Sequence, residues 1–360
     1  MTTSTAAGTD PVDLRDPAQL LAAFPYLFGF RPENSVVLLG HRPPGTVVGL
    51  LLRADLPARK HRAHQAEALA QRFASSPHTG VTAAVIGGKP PRGGRPPHAG
   101  FVHHLDRALA GHGLRMLHAL WAPEIVSGAP WACYQDTVCG GVLPDPRGTV
   151  AAAVTTESGQ VAFASRAEME RQLEPRCPEA LARRAAALAA LPAPPWDPAD
   201  AVAEGGAEIR AALERQRRGA GPPTDEQAVR LACALADKRV RDACLATALP
   251  ADTPIARQAE ALWLTLVREL PAPHRAEAAC LLGYAAYMRS DGTFAGMALA
   301  NALAAVPGHL LSRLLAGALD HGFTPESLAG LARCEGVADL GLSGEPPGDP
   351  VRSERRGGSG

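Results

Sequence analysis

The sequence lacks the short motifs that identify most well-known enzyme and metal sites. Its seven cysteines form no C-x-x-C pair, and it contains neither H-E-x-x-H nor G-x-S-x-G, nor a G-x-G-x-x-G after an apolar strand pattern. Those patterns belong to zinc, redox, hydrolase and dinucleotide sites. We therefore expect no metal and no cofactor, and whether the protein is an enzyme stays open.

The chain also lacks an excess of either charge and any long apolar run. Lys+Arg and Asp+Glu both number 36 among 360 residues, so no basic field favours nucleic acid or an anionic membrane. No run of about 18 apolar residues occurs, and the N-terminus has no signal-peptide pattern. The irregular cysteine spacing fits reduced thiols. The sequence therefore predicts a cytoplasmic protein that binds neither membrane nor nucleic acid.

Apolar residues are plentiful, and their pattern changes near the middle of the chain. They make up 46% of the sequence, which is enough for packed cores. Residues 11–162 alternate short apolar runs with helical patterns, which predicts an α/β domain with a mixed sheet. Residues 163–340 show helical patterns throughout, which predicts an all-α domain. Residues 1–10 and 341–360 are predicted to be disordered tails.

Residues 16–40, DPAQLLAAFPYLFGFRPENSVVLLG, carry the most specific pattern of the chain. Asp16 followed by Pro17 predicts a helix start, and the Leu and Phe residues after it recur at the spacing of a buried helix face. Pro25 predicts a kink or break in that helix, and Gly29 predicts its end. The apolar run 36–39 is typical of a buried strand.

Two hairpins are also expected in the first half of the chain. Thr46–Leu52 reads as a second strand, and its short link to the first strand favours an antiparallel pair. Glu124–Ser127 and Trp131–Gln135 are expected to pair around the turn at residues 128–130.

These features resemble an actinobacterial family known as domain of unknown function 4192. The resemblance rests on residues 16–40, an Arg-x-Asp-Leu-Pro motif at Arg53–Pro57, the region of Trp131, and the segment Leu281–Pro307. It covers most of residues 12–335. The resemblance implies membership of the family and supplies no activity.

Ala279–Pro307 is spaced like a single tetratricopeptide repeat. The small residues Gly283 and Ala295 allow two antiparallel helices to approach closely, and Asp291-Gly292 provides the turn. An ordinary helical hairpin and part of a partner-binding surface both fit this pattern. The second possibility makes three residues candidates for a partner surface: Tyr284, Tyr287 and Arg289.

Polar residues beside the two predicted strands form a candidate pocket, because loops at strand ends commonly carry binding sites. They are Arg31, Glu33, Asn34, Ser35, Arg53 and Asp55. Turn chemistry and a surface ion pair explain the same residues without any ligand. The preferred hypothesis is an interaction or regulatory protein, and the alternative is a small-molecule-binding protein or enzyme with a polar pocket in the α/β domain.

Overall fold

The computed structural model describes residues 2–5, 16–42, 47–74, 78–89, 95–157, 159–191 and 198–333. Seven strands form one sheet in the spatial order β1-β3-β2-β4-β5-β6-β7. They are β1 (Thr2–Thr5), β2 (Ser35–Arg42), β3 (Val47–Asp55), β4 (Gly80–Ile86), β5 (Met116–Ala122), β6 (Pro130–Cys133) and β7 (Gly140–Val142).

In the first half, three described α-helices lie between strands and a fourth follows the last strand, whereas in the second half the helices follow one another. Four belong to the first half: α1 (Pro17–Phe28), α2 (Arg62–Ala74), α3 (Ala99–Gly111) and α4 (Val150–Glu157). The second half contains α5 (Arg166–Glu170), α6 (Pro178–Ala189), α7 (Pro198–Arg217), α8 (Asp225–Ala236), α9 (Lys238–Cys244), α10 (Pro254–Glu269), α11 (Arg275–Met288), α12 (Gly292–Ala305), α13 (Leu310–Asp320) and α14 (Pro325–Leu328). A mixed sheet followed by a helical half confirms the predicted fold class.

The sheet is mixed because β4 and β5 run parallel while all other neighbours run antiparallel. β2 lies between β3 and β4 and is antiparallel to both, which confirms the first predicted hairpin. The segment from β4 through α3 to β5 is the crossover that a parallel pair requires. The start of β2 and the ends of β3, β4 and β5 therefore meet at one edge of the sheet.

Alternate residues of the strands face two different layers of helix, as the pleat of a strand requires. Val36 and Leu38 of β2 belong to a core with α2 and α3. Val37 and Leu39 belong to a second core, shared with α1 and with helices α6 to α13. The sheet is thus sandwiched between two helical layers, and one apolar core joins the two halves of the chain. The boundary at residues 162 and 163 stays a prediction.

Helix α1 begins and ends where the sequence predicts. Asp16 accepts hydrogen bonds from the backbone N–H groups of Ala18 and Gln19, and Gly29 ends the helix in the left-handed region with φ 72°. Of the kink or break expected at Pro25, the break does not occur, since the helix continues through it to Phe28, and the kink stays a prediction. Pro25 lies in the last turn, where a missing N–H costs the helix a single bond, and it is buried.

Two other expectations need correction. Strand β6 pairs with β5 and β7, whereas residues 124–127 form no strand and Ile125 is buried in the core. Strand β7 was not predicted because two of its residues are glycines, which have low strand propensity. Thr2–Thr5, placed in a disordered tail from the sequence, form the edge strand β1 against β3. Residues 6–10 and 341–360 lie outside the described residues.

Helices α11 and α12 form the hairpin predicted at Ala279–Pro307. A side chain on Gly283 would place its Cβ 2.7 Å from Leu299 Cγ, so only glycine permits this close approach. Within the described part of the chain, we find no helix with the length and apolarity needed to cross a membrane.

Candidate functional site

The six candidate pocket residues meet at the sheet edge where β2 begins and β3 ends. Ser35 lies directly opposite Asp55 in the antiparallel pair, and Val37 lies opposite Arg53. We call Arg31, Glu33, Asn34, Ser35, Arg53 and Asp55 the strand-end cluster. The sequence predicted its members but left open whether the two segments share one end of the hairpin.

Arg53 is the centre of this cluster, and its Nε and Nη2 atoms contact three neighbouring residues. Its Nε donates to Ser35 Oγ at 2.8 Å, and its Nη2 lies 2.6 Å from Asp55 Oδ1. Nη2 also donates to the backbone oxygen of Glu33 at 3.4 Å, and the guanidinium carbon lies 5.8 Å from the centre of the Phe30 ring. Arg53 is 5% exposed. These contacts fasten the loop before β2 to the end of β3.

The other members of the cluster form the turn itself. Asn34 adopts φ 44°, a left-handed conformation that Asn tolerates, and its backbone oxygen accepts from Leu56 N at 2.9 Å. Ser35 Oγ donates to the oxygen of Glu33 at 2.6 Å. Arg31 and Glu33 form an exposed pair at 3.8 Å. Folding thus accounts for most of the cluster, and its role in function stays a prediction.

Two of the three residues expected on a partner surface, Tyr284 and Tyr287, lie in the interior of the protein. Tyr284 and Tyr287 are both 0% exposed, and their hydroxyls donate to the backbone oxygens of Leu328 and Phe323. Both tyrosines therefore pack α11 against the α14 region instead of facing a partner. The sequence pattern misled because every face of α11 is covered by neighbouring helices.

Arg289 lies at the end of α11 and joins two carboxylates from different helices. Its Nε and Nη2 donate to the two oxygens of Glu260 on α10, both at 2.9 Å. Nη2 also lies 3.0 Å from Asp291 Oδ2, and Asp291 caps α12 by accepting from Phe294 N. The third nitrogen, Nη1, is buried without a hydrogen-bond partner among the described residues.

Arg289, Glu260 and Asp291 form a charged triad, and the two carboxylates change the pKa of the arginine. Burial by itself would lower the pKa of Arg289, but the charges of Asp291 and Glu260 offset this and raise it. One guanidinium faces two carboxylates that are 17% and 19% exposed. The triad therefore carries a net charge of −1, by counting its three ionised groups.

A cleft opens beside this triad, at the junction of the two halves of the chain. It consists of two adjoining cavities of about 470 Å³ and 300 Å³, which share the lining residues Thr155, Gly159, Gln160, Glu260, Leu264 and Arg289. We call this space the Arg289 cleft. Each cavity has the size of a small-molecule site.

The walls of the smaller cavity come from both halves of the chain. Gly29 and Thr155 contribute from the first half, and Phe163 lies at the boundary, where Phe163 N donates to Gly29 O and Arg31 N donates to Phe163 O. Met169 and Phe294 contribute apolar surface from the helical half. The segment Gly29–Arg31 thus lies between the Arg289 cleft and the strand-end cluster.

A family model described as a domain of unknown function, DUF4192, matches residues 17–326. The chain belongs to the DUF4192 family. The resemblance seen in residues 16–40 is thereby confirmed, while the likeness to a tetratricopeptide repeat stays a prediction. Comparison with curated proteins and with solved structures gives no match.

A second buried network in this DUF4192 protein has the residue types of a catalytic triad. Ser312 Oγ lies 2.7 Å from His309 Nδ1, and His309 Nε2 lies 3.0 Å from Glu277 Oε2. However, Ser312 is 0% exposed, and His309 Nδ1 caps α13 by accepting from Ser312 N. Arg241 donates to the same Glu277 carboxylate at 2.9 Å. This network ties α9, α11 and α13 together and is closed to a substrate.

The thiols and histidines form no metal centre in the described ranges, where no group of three or more potential ligands occurs. Cys133 and Cys139 lie opposite each other on the β6–β7 hairpin, with Cys133 N donating to Cys139 O at 2.9 Å. Burial and the neighbouring Cys133 thiol raise the pKa of Cys139, which disfavours the thiolate.

Reasoning from the sequence found Arg289 but gave it the wrong surroundings, and it missed Glu260. The two residues lie 29 positions apart on different helices, and no local spacing links them. One signal was present: the turn Arg289–Asp291 interrupts two helices with a high apolar content, so its charged residues required partners.

Proposed function

We propose that this protein is a cytoplasmic protein that binds a small molecule in the Arg289 cleft. The single observation that carries the proposal is the cleft itself, where the charged side chains of Arg289 and Glu260 lie beside apolar side chains such as Leu264. The free thiols of the described cysteines support the cytoplasmic location.

The sequence raised a small-molecule-binding protein or enzyme as the alternative function, with its pocket in the α/β half. We place the pocket at the junction of the two halves instead. The cleft combines a few polar groups with apolar walls, which is the usual composition of small-molecule sites. At the strand-end cluster, in contrast, Nε and Nη2 of Arg53 bind acceptors within the chain, and no cavity is found beside them among the described residues. This difference favours the Arg289 cleft as the first place to look for a ligand.

An interaction or regulatory role is the second candidate function. The tyrosines expected to carry it are buried, but the helical half exposes other apolar side chains. Leu310 and Leu314 on α13 are 68% and 61% exposed and lie four residues apart, hence on one side of the helix.

The test is a thermal-shift and ligand-observed NMR screen of the full chain against a library of small metabolites. Hits are repeated with Leu264→Trp, in which the larger side chain fills the cleft from α10. The matched control is Ile255→Trp, since Ile255 is an exposed residue of the same helix outside the cleft. We expect Leu264→Trp to abolish binding and Ile255→Trp to retain it. A screen without hits, or hits that bind both variants equally, would exclude the proposal.

A further inference from the structure

Two thiols, Cys133 and Cys139, face each other at the end of the β6–β7 hairpin. The antiparallel register pairs Ala132 with Gly140, and Cys133 and Cys139 form the next pair, since Cys133 N donates to Cys139 O at 2.9 Å. Side chains of directly opposite residues share one face of a sheet. Both thiols accordingly pack against the core that also contains α1, and the Cys139 thiol lies within hydrogen-bonding reach of the Cys133 thiol.

The backbone spacing of this pair suits a disulfide. Opposite residues of a hydrogen-bonded antiparallel pair have Cα atoms about 5.5 Å apart, and protein disulfides span Cα distances of about 4.4 to 6.8 Å. The loop between the two cysteines is also held in place. Tyr134 N donates to Ala119 O at 2.8 Å, and Ala119 N donates to Gln135 Oε1 at 3.0 Å. The fold therefore keeps the two sulfur atoms together before any bond joins them.

The two thiols differ in their access to solvent. Cys133 is 6% exposed, and its thiol donates to Gln135 Oε1 at 3.6 Å. Cys139 is half-buried, so a small reagent in solution reaches it first. Burial, the Cys133 thiol and Asp136 raise the pKa of Cys139, so its first reaction with a reagent is slow at neutral pH. The neighbouring thiol, and not an unusual acidity, sets Cys139 apart from a single surface cysteine.

We propose that Cys133 and Cys139 form a redox-active dithiol that closes reversibly to a disulfide. The oxidant is a small disulfide of the glutathione type. The Cys139 thiolate attacks one sulfur of the oxidant, which forms a mixed disulfide and releases the first small thiol. The Cys133 thiolate then attacks the Cys139 sulfur and releases the second. The protein dithiol loses two electrons and two protons, and the oxidant takes them up to become two thiols.

The disulfide would fix the edge strand β7 to β6 and change the loop at residues 134–138. It removes the Cys133 S–H group, which is a donor to Gln135 Oε1. In a reducing cytoplasm the pair stays a dithiol, and the disulfide forms only when oxidant accumulates. The hairpin contributes no lining residue to the Arg289 cleft, so this inference is independent of the proposed ligand.

The test treats the full chain with increasing ratios of glutathione disulfide to glutathione, then alkylates the remaining thiols and maps the peptides by mass spectrometry. We expect two peptides joined at Cys133 and Cys139, without added glutathione and separated again by dithiothreitol. Cys233, an exposed residue of α8, is the internal control and carries glutathione instead. Absence of the joined peptides at every ratio overturns the proposal, whether or not Cys233 is modified.

Variants test the order of the two steps. Cys133→Ala removes the second thiol, so the mixed disulfide on Cys139 accumulates to about tenfold or more its level in the natural chain, because no neighbouring thiol consumes it. In Cys139→Ala, Cys133 stays reduced because it is buried. The matched control, Cys233→Ala, retains the disulfide between Cys133 and Cys139. Equal amounts of mixed disulfide in Cys133→Ala and the natural chain contradict the proposal. If Cys133→Ala does not fold, the peptide map of the natural chain decides.

Discussion

Arg53 and Arg289 both have little contact with solvent, but their pKa values are shifted in opposite directions. At the strand-end cluster, burial lowers the pKa of Arg53, and Asp55 offsets this only in part because it is 80% exposed and surrounded by water. At the Arg289 cleft, two shielded carboxylates raise the pKa of Arg289 despite its burial. The direction of the pKa shift therefore depends on how well the partner carboxylate is shielded from water, more than on the presence of a salt bridge.

The two arginines differ equally in their hydrogen bonds. Arg53 binds acceptors from the loop before β2 and from the end of β3, and its ring contact with Phe30 covers one of its faces. Arg289 leaves Nη1 unpaired beside a cleft. The contacts of Arg53 hold two segments of the hairpin together, whereas one nitrogen of Arg289 stays buried without an acceptor among the described residues.

The largest effect is expected from Arg289→Met. The substitution leaves Glu260 and Asp291 without their cation in a shielded place, and breaking such a pair lowers the free energy of unfolding by about 3 kcal/mol. Urea denaturation followed by circular dichroism measures the change. Arg289→Lys is the control and retains most of the stability, because the ammonium group still neutralises the carboxylates. A loss below about 1 kcal/mol in Arg289→Met would show that solvent screens this triad like a surface pair.

A smaller effect is expected from Arg53→Met, because its main charged partner is exposed and regains hydration when the arginine is removed. The loss of the bonds to Ser35 and Glu33 lowers the free energy of unfolding by about 2 kcal/mol. Binding of any hit from the metabolite screen is unchanged, since the variant leaves the Arg289 cleft intact. The matched control, Arg31→Met, removes an exposed pair and changes stability by less than about 0.5 kcal/mol. Loss of ligand binding in Arg53→Met would instead give the strand-end cluster a role in function.

The smallest effects on stability are expected from neutralising one carboxylate of each site, Asp291 and Asp55. Asp291→Asn removes a shielded charge but keeps the cap of α12, since Asn is an equally good capping residue, and lowers the free energy of unfolding by about 1 kcal/mol. Asp55→Asn changes it by less than about 0.5 kcal/mol, because the residue is exposed. The difference between the two variants, measured by the same denaturation assay, checks the comparison, and equal losses would contradict it.

Local patterns were sufficient for much of the fold. The start of α1 at Asp16, its end at Gly29, and the antiparallel pair of β2 and β3 depend on neighbours in sequence, so the sequence predicted them. Strand β7 was missed because its Gly-Gly pair has no strand propensity and is held by pairing with β6. The break expected at Pro25 failed because the surrounding core holds the last turn of the helix.

The strand-end cluster and the Arg289 cleft also differ in how far the sequence could predict them. The strand-end cluster lies on one hairpin, and the sequence itself nominated all six of its residues. The Arg289 cleft joins Gly29 and Phe163 to α10, α11 and α12, and only packing across the whole chain brings these elements together.

The sequence by itself determined the family, the mixed sheet and the helical half, because composition, periodicity and capping act over a few residues. Only the tertiary structure decided which arginine is satisfied and which is not. Burial, shielding of a charge and the supply of acceptors are properties of distant segments in contact, and no pattern along the chain records them.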